Sequence, residues 1–259
     1  MTTVVAGMHR HPDEAGIIPV VSAALDDRRI SAAEAVAHLA VRDPVLAELA
    51  VRHGPPPRRR RVPVAARFAA LAEIIVYQQL AGKAAASIHR RLVAALAGAV
   101  TPEQVLAAPP ADLVGSGLSR SKAASIRDLA ERVSDGRVRL DRIGRLPDEA
   151  VVEHLVQVRG VGPWTADMFL LSVLGRLDVW PVGDYGVRVG FSRAWGLTDV
   201  PTPKELAALG DVFRPYRSLV AWYCWRMLDQ TVPAAGVMPD PAPRTSEGQP
   251  PVRTVPTAG

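Results

Sequence analysis

One cysteine, Cys224, in 259 residues leaves no partner within the chain for a disulfide and too few thiolates for a four-cysteine iron–sulfur cluster. Long apolar runs are missing as well. No stretch reaches the roughly 20 residues that cross a bilayer, and residues 1–16 lack the charged-then-apolar layout of a secretion signal. Nowhere do apolar and polar residues alternate for long enough to support a sheet. Acid is in deficit: 31 Lys and Arg stand against 26 Asp and Glu, a net charge of +5, which suits a polyanionic partner. These absences describe a soluble, intracellular, cytoplasmic protein without a membrane partner, with apolar residues enough for one large or two small domains.

What is present is a succession of short helical patterns. Residues 1–19 read as a loose tail, 20–232 as the folded domain and 233–259 as a disordered, Pro-rich tail. Ser31 and Glu34 have the spacing of a capping box, and Asp43-Pro44 breaks the run that follows. Gly54-Pro55-Pro56-Pro57 excludes helix, and the four arginines at 58–61 read either as a solvated linker or as a phosphate contact. Phe68, Leu71, Ile74 and Ile75 form one stripe that ends at Gln78-Gln79-Leu80; Ala84, Ile88, Leu92 and Ala95 form the next. Thr101-Pro102 and Thr202-Pro203 are helix starts, and Gly115-Ser116-Gly117-Leu118-Ser119 turns the chain into a helix carrying Lys122, Ile126, Leu129 and Val133. Residues 213–229 read as the last long helix. The fold class is therefore all-α.

The chain is organised around the stretch from Leu155 to Asp184. An amphipathic run ends at Val158; Gly160-Val161-Gly162 follows, two glycines supplying the positive φ of a tight turn, and Pro163-Trp164-Thr165-Ala166-Asp167 opens an apolar helix. Such a turn aims backbone N–H groups at an anion outside. The chain leaves that helix through Val179-Trp180-Pro181-Val182-Gly183 and presents Asp184 at the start of the next one. In order, Asp43-Pro44, Gln78-Gln79-Leu80, Lys83-Ala84-Ala85, Gly117-Leu118-Ser119, the hairpin at 155–167, the Asp184 segment, Arg214-Pro215-Tyr216-Arg217-Ser218 and Trp225 resemble the helix-hairpin-helix DNA glycosylases, and within them the 3-methyladenine DNA glycosylase II group.

The resemblance implies two helical subdomains flanking a DNA-binding cleft, and a monomeric enzyme of base excision repair acting on double-stranded DNA that contains alkylated bases. A base inside a duplex is out of reach, so such an enzyme flips the nucleotide out. By resemblance Asp184 is the carboxylate that stabilises positive charge on the deoxyribose as the N-glycosidic bond breaks; on local pattern alone an aspartate there is equally an N-cap. Trp164, Trp225, Met168 and Tyr185 are the base-pocket residues, and indole faces attract the cationic purines, whereas Trp222 reads as core. DNA contacts fall to Gly160, Val161, Gly162, Thr165, Gln78, Gln79, Ser119 and Lys122. Gln79, or the adjacent Leu80, fills the gap left by the flipped base. Trp164 stands where the strand-cleaving relatives carry a lysine nucleophile, which points to a monofunctional enzyme. The carbonyls of Val156, Val158 and Val161 are the ligands the resemblance implies for a structural Na+ or K+, with no other cofactor. Two other readings stay open: a non-catalytic protein that binds distorted DNA, and a glycosylase for another lesion such as hypoxanthine.

Overall fold

The computed structural model describes residues 30–57, 61–80 and 82–228. The expected tails at 1–19 and 233–259, and three of the four arginines at 58–61, lie outside the described residues. Among the described residues twelve α-helices follow in order: α1 (Ala32–Ala40), α2 (Pro44–His53), α3 (Arg67–Tyr77), α4 (Gly82–Ala95), α5 (Pro102–Ala107), α6 (Pro110–Gly115), α7 (Arg120–Ser134), α8 (Asp148–Leu155), α9 (Pro163–Ser172), α10 (Tyr185–Trp195), α11 (Pro203–Leu209) and α12 (Arg217–Arg226). Among the described residues there is no strand, and no helix is long and apolar enough to cross a membrane.

Side-chain caps set half of the helix starts. Ser31 and Thr202 each accept from the third helical N–H while Glu34 and Glu205 reach back to the cap, two complete capping boxes. Asp43, Thr101, Ser119 and Asp184 cap α2, α5, α7 and α10 in the same way with their own side chains. Each satisfies a backbone donor that would otherwise lack a partner. The last helix departs from expectation: Pro215 cannot continue a helical ladder, so a single 3-10 turn covers Asp211–Phe213 and α12 begins at Arg217. The short α6 carries no periodic stripe and was not anticipated.

The helices sort into two groups. In one, α3 packs on α4, α7 and α9, α5 and α6 cover α7, and α8 pairs with α9. In the other, α10 packs on α12, α12 on α2, and α2 on α1. The second group thus unites both ends of the described chain, while the first is continuous. The stripe read from the sequence at Phe68, Leu71, Ile74 and Ile75 is buried in the first group. Helix α12 buries every residue from Ser218 to Trp225, which explains its lack of a polar face. It approaches α10 so closely that a Cβ at Gly190 would overlap the Cys224 carbonyl. Arg217 closes the loop after α9 onto α12, donating to Asp178 from Nε at 2.8 Å and Nη2 at 3.0 Å.

Candidate active site

Asp184 reaches its position through a tight turn: Val182 donates to the Trp180 carbonyl and Asp184 itself donates to the Pro181 carbonyl, both at 2.9 Å. Its carboxylate then accepts three N–H groups from three helices. Oδ1 takes the backbone N–H of Val187 in α10 at 2.8 Å and Nε1 of Trp225 in α12 at 3.0 Å; Oδ2 takes Nε1 of Trp164 in α9 at 2.7 Å. The group is only 7% exposed. Asp184 is therefore an N-cap and something more: a buried acceptor oriented by two indoles, at the junction of the two helical groups. A buried carboxylate with its lone pairs turned to fixed donors cannot swing away, which is the preorganisation that electrostatic catalysis requires.

The expected pocket residues surround this carboxylate unequally. Trp164 is half-buried at the mouth of α9. Trp225 is 2% and Met168 1% exposed; Trp225 meets the carboxylate through its indole N–H, whereas Met168 is buried in the core of α9. Tyr185 is 46% exposed beside Asp184, with the Arg188 guanidinium carbon 5.8 Å from its ring centre. Trp222 is buried, as the sequence suggested, and packs edge-on against Tyr223.

The hairpin needs glycine at one position, not two. Gly160 has φ +71°, and a Cβ there would overlap the Ser125 hydroxyl of α7. Gly162 has φ −105° and open space around it, so the second glycine is not demanded by backbone conformation. Gly162 caps α9 without a side chain, and the first-turn N–H groups of Trp164 and Thr165 therefore have no side-chain acceptor within the helix start. Val161 is 5% exposed and donates to the Val158 carbonyl at 3.0 Å. The Arg159 N–H donates to Asp128 of α7 at 2.8 Å, which fixes the hairpin from below.

Two residues expected at DNA are turned inward. Lys122 donates from Nζ to the carbonyls of Val76 and Gln78, both at 2.6 Å, so its ammonium closes the C-terminal end of α3; burial lowers its pKa from the ordinary lysine range. Thr165 is 2% exposed, and its hydroxyl accepts from Gln78 Nε2 at 2.9 Å, the same amide that donates to the Gly160 carbonyl at 3.0 Å. Gln78 thus ties its loop to the hairpin instead of facing solvent alone. Ser119 is exposed and caps α7. Gln79 is exposed in the left-handed region at φ +57°, a conformation that an unbranched polar residue adopts at a cost; Leu80 beside it is half-buried.

Sequence reading missed Asp167. It lies on α9, half-buried, and burial, then the charge of Asp184, then that of Asp148 push its carboxyl up to about 7. No local signal marks it, since its environment is supplied by other helices. A surface cavity of about 480 Å³ over Phe68, Val133, Val138 and Leu140 shares no lining residue with the Asp184 cluster. Among the described residues no group of histidine, cysteine or acid side chains has the arrangement of a metal site.

Residues 72–215 match the sequence profile of the HhH-GPD superfamily base excision DNA repair protein. Among curated proteins the chain is 30% identical over 169 residues to DNA-3-methyladenine glycosylase 1 of Schizosaccharomyces pombe, covering 63% of this chain and 74% of that one. It is 34% identical over 175 residues to the DNA-3-methyladenine glycosylase of Saccharomyces cerevisiae, covering 64% and 58%. Among solved structures, the Schizosaccharomyces pombe 3-methyladenine DNA glycosylase in complex with abasic DNA superposes with a TM-score of 0.69 at 28% identity, over 74% of this chain and 95% of that one.

Proposed function

We propose, from the premise that the chain belongs to the HhH-GPD superfamily of base excision DNA repair proteins, that it is a monofunctional DNA glycosylase releasing alkylated purines such as 3-methyladenine and 7-methylguanine from double-stranded DNA. The observation that carries this reading is the buried Asp184 carboxylate, held by two indole N–H groups and a helix-cap N–H. In this reading the hairpin takes a backbone phosphate on the N–H groups at the start of α9. The exposed, left-handed Gln79 enters the stack as the damaged nucleotide rotates out. As the glycosidic bond lengthens, positive charge develops on the sugar, and the nearby carboxylate stabilises it without having to reorient. The alkylated base already carries a positive charge and leaves without strong acid catalysis.

Two features support base release without strand cleavage. Trp164 stands where a lysine nucleophile is required, and the Lys122 amine is engaged by two carbonyls. For a monovalent cation the Val156, Val158 and Val161 carbonyls are the ligands this reading names. The Val158 oxygen already accepts from the Val161 N–H at 3.0 Å, which leaves it one lone pair for the ion; the ion's contribution is positive charge next to phosphate.

The test is single-turnover incubation with duplexes carrying 3-methyladenine, 7-methylguanine or hypoxanthine, measuring free base and strand integrity separately. Release of alkylated base with an intact abasic strand is the expected result. Borohydride trapping of the protein on DNA overturns the monofunctional assignment, and no release from any lesion leaves a protein that binds distorted DNA without cleaving it.

A further inference from the structure

Asp184 and Asp167 are a pair of acids treated oppositely by their surroundings. Asp184 receives three N–H donors. The Asp167 side chain, among the described residues, makes no hydrogen bond and no ion pair with a cation. Yet Asp167 lies one turn beyond Trp164 on α9, so the two share a helix face, and that face carries the indole bonded to Asp184.

The basic groups on the neighbouring elements are engaged elsewhere. From α8 comes Asp148, itself held by Arg176 at 3.0 Å. Helix α3 brings Arg67, which donates to the Leu140 carbonyl, together with Glu73 beside His89 and Tyr77. Asp184 heads α10, and on α12 the Cys224 thiol is pushed up by burial and by Asp184. The charges that act on Asp167 are both negative, and with partial burial they push it up to about 7. A half-buried acid without a counter-charge has two physical remedies: it keeps its proton, or a cation arrives from outside.

We propose that Asp167 is a specificity-determining second carboxylate of the Asp184 site, which gives up its proton when a cationic group occupies the site and thereby selects N-alkylated, positively charged purines over neutral bases. The identity of the occupant rests on the glycosylase reading above; the position of the carboxylate rests on the register of α9. The proton passes to solvent, and Asp167 makes and breaks no bond to carbon. An occupant that is neutral leaves the proton in place and gains nothing from the second acid. A protonated occupant is attracted by both carboxylates in a site that excludes much of the water.

The test compares wild type, Asp167→Asn and Asp167→Glu in binding two duplexes: one with a protonated pyrrolidine abasic analogue, the other with its neutral tetrahydrofuran counterpart. If one proton leaves a group that titrates near 7, the preference of wild type for the cationic duplex grows about tenfold between pH 6 and pH 8. Asp167→Asn loses this growth and Asp167→Glu retains part of it. In parallel, the ratio of 7-methylguanine to hypoxanthine excision at pH 8 falls about tenfold in Asp167→Asn. An unchanged pH-dependent preference in Asp167→Asn overturns the proposal, as does an equal loss on both lesions. Failure of the glycosylase reading looks different: the pH-dependent preference is present and vanishes in Asp167→Asn, while no base is released by wild type.

Discussion

Asp43 and Asp184 begin helices in nearly the same way, and the comparison separates what a cap does from what a site does. Each accepts the N–H of the third helical residue, Leu46 at 3.0 Å and Val187 at 2.8 Å. Each also accepts an indole N–H, Asp43 from Trp195 at 3.0 Å and Asp184 from Trp164 at 2.7 Å. The differences are a second indole, deeper burial and a neighbouring acid: Trp225 bonds Asp184, the residue is 7% exposed, and Asp167 is near enough to be pushed up by its charge. A cap satisfies a helix end with whatever carboxylate is at hand. Only at Asp184 is that carboxylate enclosed where two helical groups meet.

The strongest way to break the comparison is to neutralise both acids. In either asparagine variant the amide nitrogen faces one N–H donor, so one hydrogen bond is lost and both proteins should melt lower, by about 1–3 kcal/mol of stability. Single-turnover excision should then fall by about 10² to 10³, roughly 3 kcal/mol or more, in Asp184→Asn, and by less than about twofold in Asp43→Asn. Equal excision rates in the two variants would reduce Asp184 to a cap.

Gly190→Ala attacks what Asp184 has and Asp43 lacks. The added methyl meets the Cys224 carbonyl and drives α12 from α10, moving Trp225 with it. A destabilisation of about 2 kcal/mol is expected from overpacking, read as a lower midpoint in urea, with a matching loss of excision. A variant that melts and excises like wild type would show that the crossing gives way freely.

Removing single indole donors sharpens the comparison further. Trp164→Phe keeps an aromatic face and leaves Oδ2 of Asp184 without its donor; excision should fall about tenfold, or ~1.4 kcal/mol, with damaged-duplex affinity retained. Trp195→Phe removes the equivalent donor from Asp43 while keeping a ring for the stack on Phe191, whose centre lies 4.2 Å away; excision should stay within twofold. Loss of DNA binding in Trp164→Phe would assign that indole to the duplex and not to the carboxylate.

The smallest effect concerns stability against pH. Burial and the neighbouring acids push the carboxyl of Asp167 up to about 7 in the folded chain from its ordinary 3.8, so between those values the folded state binds the proton that the unfolded state releases. Stability contributed by this group is present below about pH 4 and is lost as pH rises toward 7. Asp167→Asn should therefore match wild type in thermal melting near pH 4 and exceed it at pH 8. About 1 kcal/mol, or 2–4 °C, is the expected gain at this size. Lower stability of the variant at pH 8 would show that the carboxylate is compensated in the free protein.

Helix starts were legible because caps act within four residues: Ser31 with Glu34, Thr202 with Glu205, and Asp184 with Val187 each bond along the chain. The start of the last helix was misplaced because its apolar run continues through Pro215, whose missing N–H and fixed φ outweigh periodicity. At the site, Asp184 and Trp164 stood out through motif order, whereas Lys122 and Thr165 were assigned outward from sequence position alone. Their partners, the carbonyls of Val76 and Gln78 and the Gln78 amide, lie 44 to 87 residues away along the chain, beyond any local signal.

By itself the sequence determined an all-α chain, its caps, the glycine turn of its hairpin, and the aspartate that opens α10, because each of these depends on backbone conformation or on hydrogen bonds within a few residues. Tertiary structure alone decided that two tryptophans from α9 and α12 hold that aspartate, that Lys122 faces inward, and that Asp167 lacks a counter-charge. Burial and charge act through space, and the helices that meet at Asp184 come from parts of the chain 20 and 41 residues away.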